Sequence, residues 1–310
     1  MRLQFRFSFI VVYLYEDSFL FYFNSFEQDP YDATAHYNLG NTYKAQKRYE
    51  AAISSYLKAI ELDPSYATAH NGIGLVYEEQ EIYQKAIEAY RKAAELNSGY
   101  AYPHRNLGDV YKALKEYETA IASYQTAIDL EPDNAYFRTL LGGVLTKQQR
   151  HGDAIASYQK AIELGPEYND AHDRLGWVYL LDNQLDKAQQ SFEQAVSLDK
   201  INRSHLLNLG LVHAKKNNLE AAHDCWQKGL KLIEEDDLYS KAVIALYGLA
   251  LGDSKRGMTD MQTTIEAGAS VAALENALDD AEILATCPHP PDGIEDMITL
   301  LRDAIAKQSP

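Results

Sequence analysis

His36-Tyr37-Asn38-Leu39-Gly40 opens a stretch that returns every 34 residues: His70 to Gly74, His104 to Gly108, Arg138 to Gly142, His172 to Gly176 and Leu206 to Gly210. A second set keeps the same step, at Ala52, Ala86, Ala120, Ala154, Ala188 and Ala222. An aromatic follows four residues after each, at Tyr56, Tyr90, Tyr124, Tyr158, Phe192 and Trp226. Small residues close the series at Ala59, Ala93, Ala127, Ala161, Ala195 and Gly229. Pro64, Pro132 and Pro166 end three of the units, with Ser98 and Lys200 in the same place in two others. A fixed period of this length marks stacked repeats rather than one globular core.

Each recurring residue has a physical reason. Leu39 and Tyr43 stand four apart and share one face of a first helix. Gly40 lacks a side chain, so a neighbouring helix can come close. Ala52, Tyr56 and Ala59 fall at i, i+4 and i+7 on one face of a second helix, where small alanines let the pair close and the ring fills the gap. Pro64 cannot continue a helix. Asp63-Pro64 therefore reads as the hinge into the next unit. One such pair cannot bury its apolar face alone, whereas a stack of pairs can.

The leucine-glycine-x-x-tyrosine, alanine, aromatic, alanine, proline pattern resembles the tetratricopeptide-repeat (TPR) family. The wording Leu39-Gly40-Asn41-Thr42-Tyr43-Lys44-Ala45-Gln46 and Lys58-Ala59-Ile60-Glu61-Leu62-Asp63-Pro64 is similar to the repeat arms of O-linked N-acetylglucosamine transferases and to bacterial TPR proteins. The resemblance implies an all-α fold: a right-handed superhelix (α-solenoid) of stacked antiparallel helix pairs with a helical C-terminal cap. Six units are expected, at 33–66, 67–100, 101–134, 135–168, 169–202 and 203–234. The catalytic region of the transferases has no counterpart, because too little chain remains and that remainder reads as helical.

Both ends depart from the pattern. Residues 1–32 form an aromatic, hydrophobic segment. Glu16-Asp17-Ser18, Tyr22, Ser25 and Asp29-Pro30 align with Glu50-Ala51-Ala52, Tyr56, Ala59 and Asp63-Pro64. The segment thus reads as a degenerate half-unit, with a membrane anchor in residues 1–23 and a misassigned start as alternatives. Glu16 and Asp17 interrupt the apolar run and weigh against lipid. In residues 235–310, Leu238 to Leu251 and Met258 to Ala267 read as a diverged pair with Gly252 between them. Ser270 to Ala285 and Gly293 to Lys307 read as two capping helices.

The 310 residues carry a net charge of −16. From Glu235 onward fourteen Asp/Glu face five Lys/Arg, so over half of that excess lies in the last quarter. Phosphate binding needs a cationic surplus, so nucleic acid is not expected as a partner. Two cysteines, Cys225 and Cys287, are too few for a disulfide framework, and a reducing, cytoplasmic setting is the default expectation.

In the TPR family the concave wall is lined by fixed positions of each first helix. Mapped here, these give Tyr37, Asn41, Lys44, Asn71, Glu78, Tyr102, Arg105, Asp109, Lys112, Tyr136, Thr139, Asp173, Trp177 and Leu211. Asn38, Asn106 and Asn208 share one further position and form a broken asparagine series. Aromatic residues and Arg are the anchors protein interfaces favour. Towards the C-terminal repeats the wall turns apolar, with Trp177, Leu180, Leu181, Leu207 and Leu211; this is an exposed patch unless the C-terminal helices fold back over it. Of the Lys/Asn/Arg clamp that one TPR subtype closes on a C-terminal carboxylate, only Asn41 agrees.

Nothing points to catalysis. His36, His70, His104 and His172 recur as packing residues. His223-x-Cys225 and Cys287-x-His289 have the right types for zinc but too tight a spacing. No Gly-rich phosphate loop occurs. The expectation is a scaffold without enzyme activity, metal or cofactor that binds a protein or peptide. The alternatives are a membrane-tethered assembly factor and a regulatory arm of a glycosyltransferase-type enzyme. The oligomeric state stays open.

Overall fold

The computed structural model describes residues 31–232 and 238–308. The readings placed on the N-terminal segment before Tyr31, including the anchor and the half-unit, lie outside the described residues. So does most of the acidic stretch after Ile233.

Among the described residues the regular elements are sixteen α-helices and no strand. In chain order these are α1 (Ala33–Ala45), α2 (Tyr49–Leu62), α3 (Ala67–Glu79), α4 (Tyr83–Leu96), α5 (Ala101–Ala113), α6 (Tyr117–Leu130), α7 (Ala135–Lys147) and α8 (His151–Leu164). They continue with α9 (Asn169–Leu181), α10 (Leu185–Leu198), α11 (Arg203–Lys215), α12 (Leu219–Lys231), α13 (Leu238–Ala250), α14 (Ser254–Glu266), α15 (Val271–Ala285) and α16 (Ile294–Gln308). The chain divides into two compact units, Met1–Gln148 and Gln149–Pro310.

In the first unit α1 pairs with α2, α3 with α4 and α5 with α6, and each second helix packs on the next first helix. The seams follow the sequence pattern. Tyr56, Tyr90 and Tyr124 are fully buried. A Cβ added at Gly74 would stand 2.4 Å from the Tyr90 ring, and one at Gly108 2.5 Å from the Tyr124 ring. The glycine is therefore the socket for the ring, and any side chain there would force the pair apart.

The second unit uses the same device. Helix α9 pairs with α10 and α11 with α12. A Cβ at Gly210 would fall 2.2 Å from Nε1 of Trp226, a side chain that is 1% exposed.

In the first six helix pairs the turn between the two helices is specified without glycine. Lys47, Glu81, Lys115, Gln149, Asn183 and Asn217 all have φ between 56° and 62°. At Lys115 the two reversed bonds of a Schellman motif are present: Lys115 N–H donates to the Lys112 carbonyl at 3.0 Å, and Glu116 N–H to that of Tyr111 at 2.8 Å. A residue with a Cβ is strained in the left-handed region. Lys115→Gly is therefore expected to stabilise the chain by about 0.5–1 kcal/mol, part of the relief being offset by the freer unfolded chain. The check is a higher urea midpoint at unchanged slope.

The seventh pair, α13 with α14, keeps the pattern at a shifted register. Gly257, Met261 and Thr264 each follow Ala222, Trp226 and Gly229 by 35 residues instead of 34. All three are buried. A Cβ at Gly257 would meet the Ala245 carbonyl at 2.6 Å, so this glycine marks close helix approach. Helix α14 begins at Ser254, four residues before the expected Met258, because the Asp253 side chain accepts from Arg256 N–H and caps the turn that contains Gly257. Helices α15 and α16 pair with each other, and α15 also packs on α11 and α13.

Candidate functional site

The first helices of the first unit, α1, α3 and α5, lie side by side. Buried rings behind them send their hydroxyls through to this face. Tyr56 donates to Asn41 Oδ1 at 2.7 Å and Tyr124 to Asp109 Oδ1 at 2.6 Å. Tyr90 makes a short bond to Glu78. Burial raises the phenol pKa of all three, so each stays a protonated donor. Burial also raises the Glu78 carboxyl, and the Tyr90 bond partly counters it.

Arg105 is the centre of the face. Its guanidinium carbon lies 6.0 Å from the Tyr102 ring centroid and 5.8 Å from that of Tyr136. These rings are 42% and 43% exposed. Asp109 holds Arg105 at 2.9 Å and Lys112 at 3.6 Å. Beneath them Asn106 is 1% exposed and donates to Asn71 Oδ1 at 2.8 Å. Asn106 Oδ1 and Arg105 Nε are buried without a partner. An orphaned buried polar atom costs about 1–3 kcal/mol, a cost the fold carries beneath this face.

An aromatic row runs beside this centre. Tyr102 stacks edge-on with Phe137 at 5.7 Å and lies 6.0 Å from Tyr100. Tyr37 packs between Tyr56 at 5.8 Å and Tyr66 at 5.5 Å. Lys44 pairs with Glu79 at 3.7 Å. Asn38 is half-buried, and its backbone carbonyl takes the Thr42 hydroxyl.

Family models now bear on this architecture. Those described as TPR repeat and tetratricopeptide repeat match residues 21–54, 40–81, 67–100, 108–149 and 134–201, which span 21 to 201 apart from 101–107. The chain belongs to the tetratricopeptide-repeat family. No curated protein matches the sequence. Among solved structures, YrrB, described as a TPR protein with an unusual peptide-binding site, is 27% identical over 63% of this chain and 97% of its own, with a TM-score of 0.48. PilW, described as a type IV pilus biogenesis factor, is 21% identical over 62% of this chain and 90% of its own, with a TM-score of 0.56. The Cut9–Hcn1 hetero-tetramer of the APC/C is 19% identical over 74% of this chain, with a TM-score of 0.60, and this chain covers 45% of that one. The last two show the shared fold. The TPR architecture makes the chain a protein-interaction scaffold in general terms.

Besides Asn71 and Asn106, which form the buried floor, Thr139 and Leu211 of the expected TPR wall lie in the core. Thr139 is 2% exposed and its hydroxyl donates back to the Ala135 carbonyl at 3.0 Å, so its own helix occupies it. Leu211 is fully buried on α11, the helix that α15 covers. Leu180 and Leu207 are likewise 2% and 4% exposed, so the apolar patch is closed over and only Leu181 stays exposed. The fold-back of the C-terminal helices is thus the branch the structure takes. Lys215 Nζ donates to Thr286 Oγ1 at 2.8 Å across it.

The polar residues expected in the second unit form an internal network. Asp173 accepts from His205 at 2.9 Å and from Asn208 at 3.1 Å. Trp177 is half-buried. Two carboxylates of the C-terminal tail are engaged within the fold: Tyr247 donates to Asp280 at 2.8 Å, and Arg302 to Glu282 at 2.6 Å. Both cysteines are free and buried, and the His223 ring lies against Trp226 at 5.8 Å. Among the described residues no group of three or more His, Cys, Asp or Glu could hold a metal ion. No described helix is long and apolar enough to cross a membrane.

The hydroxyls of Tyr56, Tyr90 and Tyr124 are the contributors that sequence reasoning missed. A signal existed. The first unit uses tyrosine at the ring position throughout, where the second ends in Phe192 and Trp226.

Proposed function

We propose that the chain is a non-enzymatic scaffold that binds a segment of another protein on the first-helix face of its N-terminal unit. The observation that carries this is Arg105 held between the exposed rings of Tyr102 and Tyr136 above a polar floor. A side chain fixed in this way has already lost much of its freedom before a partner arrives, so less is lost on binding. Tyr and Arg also dominate interface energies where they cluster. Tyr37, Asn38, Asn41, Lys44 and Lys112 flank this centre. Asp173, Trp177 and Asn208 support the second unit rather than the binding face.

The test is affinity capture with the intact chain beside a Tyr102→Ala/Tyr136→Ala variant of equal helicity. The partner retained by the first is expected to bind the second at least tenfold more weakly, the scale of a lost hot spot. Equal binding by both would remove the face from consideration.

A further inference from the structure

We infer that the Tyr102–Arg105–Tyr136 face takes a proline-rich segment of its partner, bound as a polyproline II helix; the inference rests on reading that face as a peptide-binding surface. Such a helix makes no internal hydrogen bonds, so its carbonyls need donors from outside. The hydroxyls of Tyr102 and Tyr136 have no hydrogen-bond partner among the described residues, and both rings are exposed. Aromatic-lined surfaces with such donors are the recognised way to hold proline-rich chains.

Spacing agrees. The Arg105 guanidinium carbon is 6.0 Å from one ring centroid and 5.8 Å from the other, so the rings stand no further apart than those distances laid end to end. One polyproline turn of three residues rises roughly 9 Å, which fits inside that limit. Prolines three apart would then rest on successive rings, with the guanidinium against the carbonyls between them.

Charge narrows the occupant further. The three cations Arg105, Lys112 and Lys44 are balanced by the three carboxylates Asp109, Glu78 and Glu79, with Arg105 and Lys112 on Asp109 and also facing Glu78, and Lys44 on Glu79. No formal charge is left over to draw an acidic or a basic peptide. An amphipathic helix is a poor alternative, because its apolar stripe would lie against the partly exposed charges of Arg105, Asp109 and Lys112 and take them out of water. An uncharged, rigid chain whose rings stack on tyrosine meets neither objection.

The experiment uses the full-length chain in two arms. Fluorescein-labelled decaproline is titrated by anisotropy against the wild type, Tyr102→Phe/Tyr136→Phe and Tyr102→Ala/Tyr136→Ala, with helicity checked for each. A random dodecapeptide display library is selected on the wild type in parallel. Saturable decaproline binding is expected, weakened severalfold by the Phe pair and at least tenfold by the Ala pair, with selected peptides enriched in proline. Selected peptides that lack proline yet depend on Tyr102 and Tyr136 would overturn the polyproline inference and leave the binding face standing. Selected peptides indifferent to the Ala pair, or no selection at all, would overturn both.

Discussion

Asp280→Asn raises the melting temperature of the chain at pH 8 and raises it much less at pH 5. Asp280 lies on α15, the helix laid over α11 and α13. Burial pushes its carboxyl up to about 7, against a bond from Tyr247 that pulls the other way, and the neighbouring Asp279 and Asp173 add to the rise. The groups facing it are thus Tyr247 from α13, Asp173 from α9 with the His205 of α11 bound to it, and Asp279 from its own helix. A carboxyl that holds its proton more tightly folded than unfolded stabilises the fold fully below its unfolded pKa, near 3.8. That contribution falls as pH rises and is gone above about 7. Each unit of displacement is worth about 1.4 kcal/mol, so the loss amounts to a few kcal/mol. The carboxamide accepts the Tyr247 bond without ever ionising, so the variant keeps what the wild type loses. The measurement is thermal unfolding by circular dichroism at both pH values. Every other titrating group is present in both proteins, so the comparison isolates Asp280. An equal pH dependence in wild type and variant would sink the account.

The 34-residue period made most of the helices legible, because the same few residues solve the same packing problem each time. Glycine under a ring and alanine between helices are local, short-range demands, and residue type alone reports them. Legibility failed where the cause was not local. The seventh pair slips to a step of 35, so Gly257, Met261 and Thr264 fall out of register with the six motifs and read as divergence. Gly257, which precedes the expected helix start at Met258, lies inside α14, where α13 needs room beside it. The left-handed turns of the first six pairs carried no glycine to announce them. Of the candidate wall, Tyr102, Arg105 and Asp109 come together within one helix of the first unit, where position in the repeat decides exposure. Thr139 and Leu211 occupy wall positions too, but a back-bond to Ala135 and the return of α15 over α11 decide their fate. No period in the sequence reports a helix arriving from 60 residues further on.

Tyr124→Ala should destabilise the first unit by about 3–5 kcal/mol, the range for removing a fully buried aromatic ring. The ring fills the socket at Gly108, where even an added Cβ would stand 2.5 Å from it, so its loss leaves a cavity between α5 and α6 that two helices fixed by their other contacts cannot close. Tyr124→Phe separates the ring from its hydroxyl. It keeps the packing and removes the donor that holds Asp109 Oδ1 at 2.6 Å, at an expected cost of about 1–2 kcal/mol. Its second consequence is at the face. Asp109 is pinned between Tyr124, Arg105 and Lys112, and with Tyr124 silent its carboxylate is free to turn and to loosen the guanidinium it holds at 2.9 Å. The Phe variant should therefore remain folded yet bind the captured partner more weakly, whereas a face built independently of the core would bind as before. Urea denaturation of both variants reads the first effect, and partner affinity of the Phe variant reads the second. If Phe costs as much stability as Ala, the packing of the ring at Gly108 is not what holds this pair together.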